Sequence, residues 1–221
     1  MALRPPIAGL TSVAGPQAGS RLNAPAAERN TAAITGVLRR FAPPRGGRAL
    51  ELASGTGQHA VALARALPGL TWQPTELDQA RLASIAAWRA AEGPDNLNAP
   101  LSLDACVPGW ARDHHGQDLV LLINLLHLIS TPEARVVISE ATNALSPGGR
   151  FVLYGPFLRD GRATSDGDRQ FHAKLQAQDP EIGYKNDADI RNWFEDDGLR
   201  ICGCIEMPAN NLCFIGEREP G

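Results

Sequence analysis

Glu51-Leu52-Ala53-Ser54-Gly55-Thr56-Gly57-Gln58-His59 sets a carboxylate beside two closely spaced glycines, a residue set suited to holding a charged small molecule. Gly55 and Gly57 let a ligand approach the backbone closely and leave amides exposed at a helix N-terminus. Glu76 follows Gly57 by 19 positions, where an acid can accept hydrogen bonds from both hydroxyls of a ribose. Asp104 continues the series, placed to accept from an exocyclic amine of adenine, with the Ala105 and Cys106 amides beside it. Its alternative role is a turn or helix-cap aspartate. Candidate cofactor contacts are therefore Glu51, Ala53, Gly55, Gly57 and His59 on the loop, Glu76 with its neighbour Leu77, and Asp104 with Ala105.

A second group points to chemistry on an acceptor. Asn124 interrupts an apolar run at the end of an expected strand, where doubly wound sheets bind ligands. A buried amide there needs partners, so it either ties strand ends together or contacts cofactor and substrate. His127, three residues on, is the residue type used as a general base near neutral pH, or else a hydrogen-bonding loop residue. Tyr154 ends the next strand as a third catalytic candidate, with a core role as the alternative. Arg29 and Asn30 are placed to close over the far end of the cofactor, unless Asn30 caps a helix. Asn210 and Asn211, together with His127, are the candidate substrate contacts.

These residues need a scaffold of alternating strands and helices. Ile34, Val37, Leu38 and Phe41 recur at helical spacing until Pro43-Pro44 ends the pattern. Strands are expected over 48–53, 70–75, 99–103, 118–123 and 150–154. Helices are expected after the glycine loop through 67, over 78–91 with Asp78 as cap, and over 132–145, the last closed by Ser146-Pro147-Gly148-Gly149. The rhythm breaks at the end, where 199–207 and 211–217 read as a hairpin around Pro208-Ala209-Asn210. That pattern predicts one α/β domain over 25–221, a Rossmann-like three-layer sandwich whose mostly parallel sheet ends in an antiparallel hairpin. Residues 1–24, rich in Pro, Gly, Ala and Ser, read as a flexible arm. The polar stretch 155–186 reads as an inserted lid or a disordered loop.

Composition narrows the function classes. The chain has 221 residues with a formal net charge of −3, which speaks against a binder of the nucleic-acid phosphate backbone. The end of the fourth strand, Asn124-Leu125-Leu126-His127, also lacks the Asn/Asp-Pro-Pro-aromatic string of many base-methylating enzymes. The longest apolar run falls far short of the ~18 residues of a membrane span. Residues 1–20 lack the continuous apolar stretch of a secretory signal. Cys106, Cys202, Cys204 and Cys213 show no zinc-type spacing and read as reduced thiols of a cytoplasmic protein, with no metal expected.

Two cofactors fit the loop. Gly55-Thr56-Gly57-Gln58-His59-Ala60 satisfies the dinucleotide pattern, so a nicotinamide-dependent oxidoreductase stays open. Against it, Glu51 is a poor neighbour for a pyrophosphate and a reasonable one for the ammonium of S-adenosylmethionine. There is also no Tyr-x-x-x-Lys pair to serve a short-chain reductase. Methyl transfer needs chiefly proximity and orientation. A protein that binds S-adenosylmethionine without transferring its methyl is the other alternative.

The order of the glycine-loop string, Trp72-Gln73-Pro74, Asn124-x-x-His127, Tyr154-Gly155-Pro156 and Met207-Pro208-Ala209-Asn210-Asn211, with Glu28-Arg29-Asn30 ahead of them, resembles the methyltransferase-like family known as domain of unknown function 938. The resemblance covers about 24–217. It implies a class I S-adenosylmethionine-dependent methyltransferase fold of seven strands with a reversed last strand. It also implies that cofactor, with S-adenosylhomocysteine as product; the substrate class is read instead from the amides, the imidazole and Tyr154 of the second group, which suit a small polar acceptor better than a polyanion. Two positions depart from the pattern. Ala53 fills the place of a frequent glycine, and Lys185-Asn186 stands where relatives tend to show Arg-Asp.

Overall fold

A computed structural model of the protein describes residues 15–16, 21–43 and 46–219. Most of the expected arm thus lies outside the described residues. Of it, β1 (Gly15–Pro16) pairs antiparallel with β2 (Leu22–Asn23). Then follow α1 (Pro25–Phe41), β3 (Gly47–Leu52), α2 (Gln58–Ala66), β4 (Leu70–Glu76), α3 (Gln79–Glu92) and β5 (Leu101–Ser102). After them come β6 (Gln117–Ile123), α4 (Thr131–Ala144), β7 (Leu145–Leu158), α5 (Asp166–Gln178) and β8 (Lys185–Asn186). The last elements are α6 (Asp187–Asp196), β9 (Leu199–Glu206) and β10 (Asn211–Arg218).

The main sheet has the order β5-β4-β3-β6-β7-β10-β9, with β8 added on β7. Strands β3 to β7 pair in parallel, whereas β10 runs antiparallel to both β7 and β9. This is the expected seven-stranded sheet with one short extra strand. The central strand β6 carries apolar residues on both faces, as a sheet covered by helices on both sides demands. Leu119, Leu121 and Ile123 pack with Ile34 and Leu38 of α1 and Leu63 of α2. The alternate residues Val120 and Leu122 pack with Val137 and Ile138 of α4 and Phe194 of α6.

Three local expectations need correction. The strand expected over 99–103 is paired only at Leu101–Ser102. Gly148-Gly149 does not end α4, whose C-cap is Leu145; instead β7 already starts there. A Cβ on Gly149 would stand 2.7 Å from the Gln117 carbonyl oxygen, so the glycine serves the close approach of two strands where their register shifts between Gln117 and Leu119. At its other end β7 runs beyond Tyr154, because Pro156 and Gly155 pair with Asn211 and Leu212 of β10 and Phe157 pairs with Lys185 of β8.

The stretch 155–186 is therefore ordered, with four residues of strand, a 13-residue helix capped by Ser165 and a terminal bridge. It has its own small core of Leu175, Ile182 and Tyr184, against which Leu128 and Phe171 pack. Among the described residues no helix is long and apolar enough to cross a membrane.

Candidate functional site

The sheet's connections leave β3 and β6 toward opposite edges, which opens a crevice at their carboxyl ends. A cavity of about 690 Å³ lies there. The loop after β3 forms one half of its wall. Ala53, Gly55 and Gly57 all have positive φ, at 49°, 61° and 93°, so the chain reverses sharply from strand to helix. The two glycines serve different ends. A Cβ on Gly55 would meet nothing within 4 Å, whereas one on Gly57 would stand 2.8 Å from Cα of Ile85 in α3. Gly55 is open to the cavity; Gly57 permits α2 to pack on α3 and is not part of the cavity wall.

Ala53 pays for its left-handed geometry with strain of roughly 1–2 kcal/mol. Ala53→Gly should relieve it, against about 0.4–1 kcal/mol of added unfolded-state entropy. The expected result is an unchanged or slightly raised melting temperature in thermal denaturation; a fall of several degrees would show that the methyl packs usefully.

Glu51 is 1% exposed, lines the cavity and accepts a hydrogen bond from Trp72 Nε1 at 2.7 Å. Burial pushes its carboxyl up to about 8, with the Trp72 bond opposing and the Glu76 charge adding to the rise. Without a cationic partner it holds a proton at neutral pH. Glu76 accepts the Gly55 amide at 2.9 Å on one oxygen and the Leu77 and Asp78 amides at 2.8 and 3.3 Å on the other, with Arg81 3.8 Å away. It thus braces the glycine loop from behind, with a lone pair left on the oxygen that meets Gly55. Asp78 caps α3 by accepting from the Arg81 amide. Asp104 accepts the Cys106 amide at 2.9 Å, the geometry of a turn aspartate. Glu76, Leu77, Asp104 and Ala105 lie outside the cavity wall.

Asn30 does not cap a helix: α1 opens at Pro25, with Ala24 in the cap position and no side-chain cap. Its Oδ1 meets His59 Nε2 at 2.7 Å, and its side chain also hydrogen-bonds Tyr154, so one amide joins α1, α2 and β7. Burial lowers His59 to about 4, so its ring is neutral and Nε2–H donates to Asn30. Tyr154 is 2% exposed and burial raises its phenol, which keeps it protonated. The segment ahead of α1 is pinned across the loop, where Ala24 N donates to Gln58 Oε1 at 2.6 Å and Leu22 N to Ser84 Oγ at 2.8 Å. Arg29, exposed on α1, lines the cavity beside Asn30.

The other half of the wall comes from three separate segments. After β6, Asn124 turns the chain with φ 57° and donates its amide to the Tyr154 carbonyl at 2.9 Å, presenting its side chain with His127 to the cavity. The insertion adds Asp168, Phe171 and Tyr184, and the hairpin adds Pro208, Ala209 and Asn211. Asn210 is not part of the wall. Its Nδ2 donates to Asp168 Oδ2 at 2.9 Å, and its carbonyl accepts from Arg159 at 3.1 Å, which latches the insertion to the hairpin. Asp168, Phe171, Tyr184 and Arg81 escaped the sequence reading; the one signal was two aromatic residues in an otherwise polar insertion. Lys185 is not part of the cavity wall; its Nζ donates to the carbonyls of Ile129 at 2.7 Å and Gly183 at 3.0 Å. Among the described residues no group of His, Cys, Asp and Glu could hold a metal ion, and the four cysteines are free thiols.

The fold is that of class I methyltransferases. An O-methyltransferase family protein from Burkholderia thailandensis superposes with a TM-score of 0.73 at 22% identity, over 89% of this chain and 57% of that one. Human N-acetylserotonin methyltransferase, solved in complex with S-adenosylmethionine, gives 0.69 at 14% identity over 88% and 53%. A putative methyltransferase solved with the Haloferax volcanii Trm112 activator gives 0.68 at 17% identity over 87% and 92%. The chain spans a little over half the length of the first two. A family described as protein of unknown function, DUF938, matches residues 21–218, and the chain belongs to that family.

Proposed function

We propose that this chain is an S-adenosylmethionine-dependent methyltransferase acting on a small polar molecule. The observation that carries the reading is a two-sided cavity at the β3–β6 crevice. One side offers an open glycine backbone and a buried, nearly neutral carboxyl that lacks only a cation. The other offers Asn124, His127 and the insertion. The residues fit the cofactor: Glu51 suits its ammonium, Gly55 admits a close backbone contact, Glu76 keeps one lone pair for a ribose hydroxyl and Arg29 suits a carboxylate. When bound, the cofactor supplies an electrophilic methyl on a sulfonium. The chain's own work is then to hold the acceptor in line with that methyl and to exclude water. The methyltransferases among its structural neighbours support the reading.

A pyrophosphate cofactor is disfavoured, because it brings no cation to the buried Glu51 carboxyl. Thermal shift discriminates between the two. S-adenosylhomocysteine at ~100-fold above its dissociation constant should add about 2.7 kcal/mol, a rise of roughly 5–10 °C for a chain of this size. A rise with NAD and none with S-adenosylhomocysteine would overturn the proposal. Incubation with labelled cofactor and candidate acceptors then separates transfer from mere binding.

A further inference from the structure

His127 is buried to 8% exposure, lines the cavity, and its ring nitrogens have no hydrogen-bond partner among the described residues. Its polar contacts are confined to the main chain, where its carbonyl accepts from the Gly183 amide. A buried polar ring left unpaired is costly, and the missing partner has to come from the cavity. His127, Phe171 and Tyr184 form a triangle of rings, with centroids 6.0, 6.1 and 6.1 Å apart. All three line the same end of the cavity, where the Tyr184 hydroxyl donates to Asp168 Oδ1 at 3.4 Å, so this end is an aromatic wall in which His127 holds the unpaired hydrogen-bonding position.

Charge selects further. Neither the loop after β6, nor the insertion, nor the hairpin contributes a lysine or arginine to the wall. The charged group there is the Asp168 carboxylate, held by Ser165 Oγ at 2.7 Å and Asn210 Nδ2 at 2.9 Å. Arg81 belongs to the glycine-loop half through Glu76. A phosphate or carboxylate on the acceptor would meet Asp168 without a cation.

We infer that the methyl acceptor is an uncharged aromatic or heteroaromatic molecule carrying one O–H or N–H, which stacks on the Phe171–Tyr184 wall and donates that hydrogen to His127. This rests on the cofactor assignment above and extends it to a substrate class. Burial, with the Lys185 charge nearby, lowers the imidazole to about 3, so it offers a lone pair at neutral pH and makes a weak base. Such a base suffices when the proton leaves with or after methyl transfer. The methyl–sulfur bond breaks with its electron pair staying on sulfur, a methyl–oxygen or methyl–nitrogen bond forms, and the proton, now strongly acidic, passes to His127 and on to water.

The test uses the full chain saturated with S-adenosylhomocysteine, with saturation verified by calorimetry. Saturation-transfer NMR at pH 7 then measures 4-methylphenol and indole against their blocked counterparts 4-methylanisole and N-methylindole, and against phenyl phosphate. Each donor-bearing probe that binds should exceed its blocked counterpart about tenfold or more, as expected where a buried acceptor is otherwise unpaired, and phenyl phosphate should bind more weakly than either. A preference for the phenol or for the indole assigns oxygen or nitrogen as the acceptor atom. His127→Phe should abolish the donor preference while S-adenosylhomocysteine affinity stays within a few-fold. As a check independent of that variant's folding, the His127 ring nitrogen shifts of the wild-type chain should move on adding the preferred probe. Equal binding of donor and blocked probes, stronger binding of phenyl phosphate, unmoved ring shifts or binding of no probe would overturn the inference. Failure of S-adenosylhomocysteine to saturate the chain would instead bring down the cofactor assignment beneath it.

Discussion

Glu51→Gln should stabilise the ligand-free protein at pH 8 and weaken S-adenosylhomocysteine binding at the same pH. The carboxyl titrates near 8 in the fold, against an ordinary value of 4.5. Between those values the folded chain holds a proton that the unfolded chain has lost, so wild-type stability falls as pH rises through this window. Each pKa unit corresponds to about 1.4 kcal/mol, which makes the fall several kcal/mol in size. Glutamine can still accept from Trp72 and does not titrate. The stability gap between variant and wild type should therefore widen from pH 5 to pH 8 in urea denaturation. Binding should show the reverse. An ammonium beside Glu51 favours the ionised carboxylate, so wild-type affinity for S-adenosylhomocysteine rises from pH 6 to pH 8 with release of a proton. The variant should lose that pH dependence and bind ~10–100-fold more weakly at pH 8, the worth of a charge-assisted hydrogen bond. Calorimetry in buffers of different ionisation enthalpy reads both effects. Equal affinity of variant and wild type across that range would remove Glu51 from the cofactor site.

The sequence alone discloses the glycine-loop side of the cavity better than the side built by the insertion and the hairpin, and the reason is physical. The loop from Glu51 to His59 and the run into Asn124 sit on β3 and β6, whose apolar patterns are strong because both faces are buried. Local chemistry and local structure coincide there, so order along the chain conveys position. The insertion offers no such pattern, since α5 buries Leu175 alone among its 13 residues. Its order comes from tertiary contacts, namely the pairing of β7 with β8 and the Asn210–Asp168 latch, which join residues far apart in the chain. Asn210 illustrates the limit. Its type and neighbourhood suggest a ligand contact, whereas its amide is spent on Asp168. Asp104 likewise satisfies its own turn, a role no spacing argument separates from adenine recognition.

The second large effect separates two glycines that spacing alone treats alike. Gly57→Ala should destabilise the fold by about 2–5 kcal/mol, and Gly55→Ala by much less. Both have positive φ, so each alanine incurs roughly 1–2 kcal/mol of left-handed strain. Only at position 57 does the new methyl also collide with backbone, 2.8 Å from Ile85 Cα and 3.1 Å from its Cγ1. Ile85 is fully buried, so relief requires α3 to shift from α2, and overpacking of this kind adds about 1–3 kcal/mol. That shift would also disturb the Ser84 hydroxyl, which donates to the Thr56 carbonyl at 2.8 Å and helps hold the glycine loop. At position 55 the methyl meets no protein atom within 4 Å and projects into open space at the cavity wall. Gly55→Ala should therefore melt within a few degrees of wild type yet lose most S-adenosylhomocysteine affinity, while Gly57→Ala should melt at least 5–10 °C lower. Equal melting temperatures for the two variants would mean that α3 yields at little cost, and unchanged affinity in Gly55→Ala would show that the cofactor does not approach the backbone there.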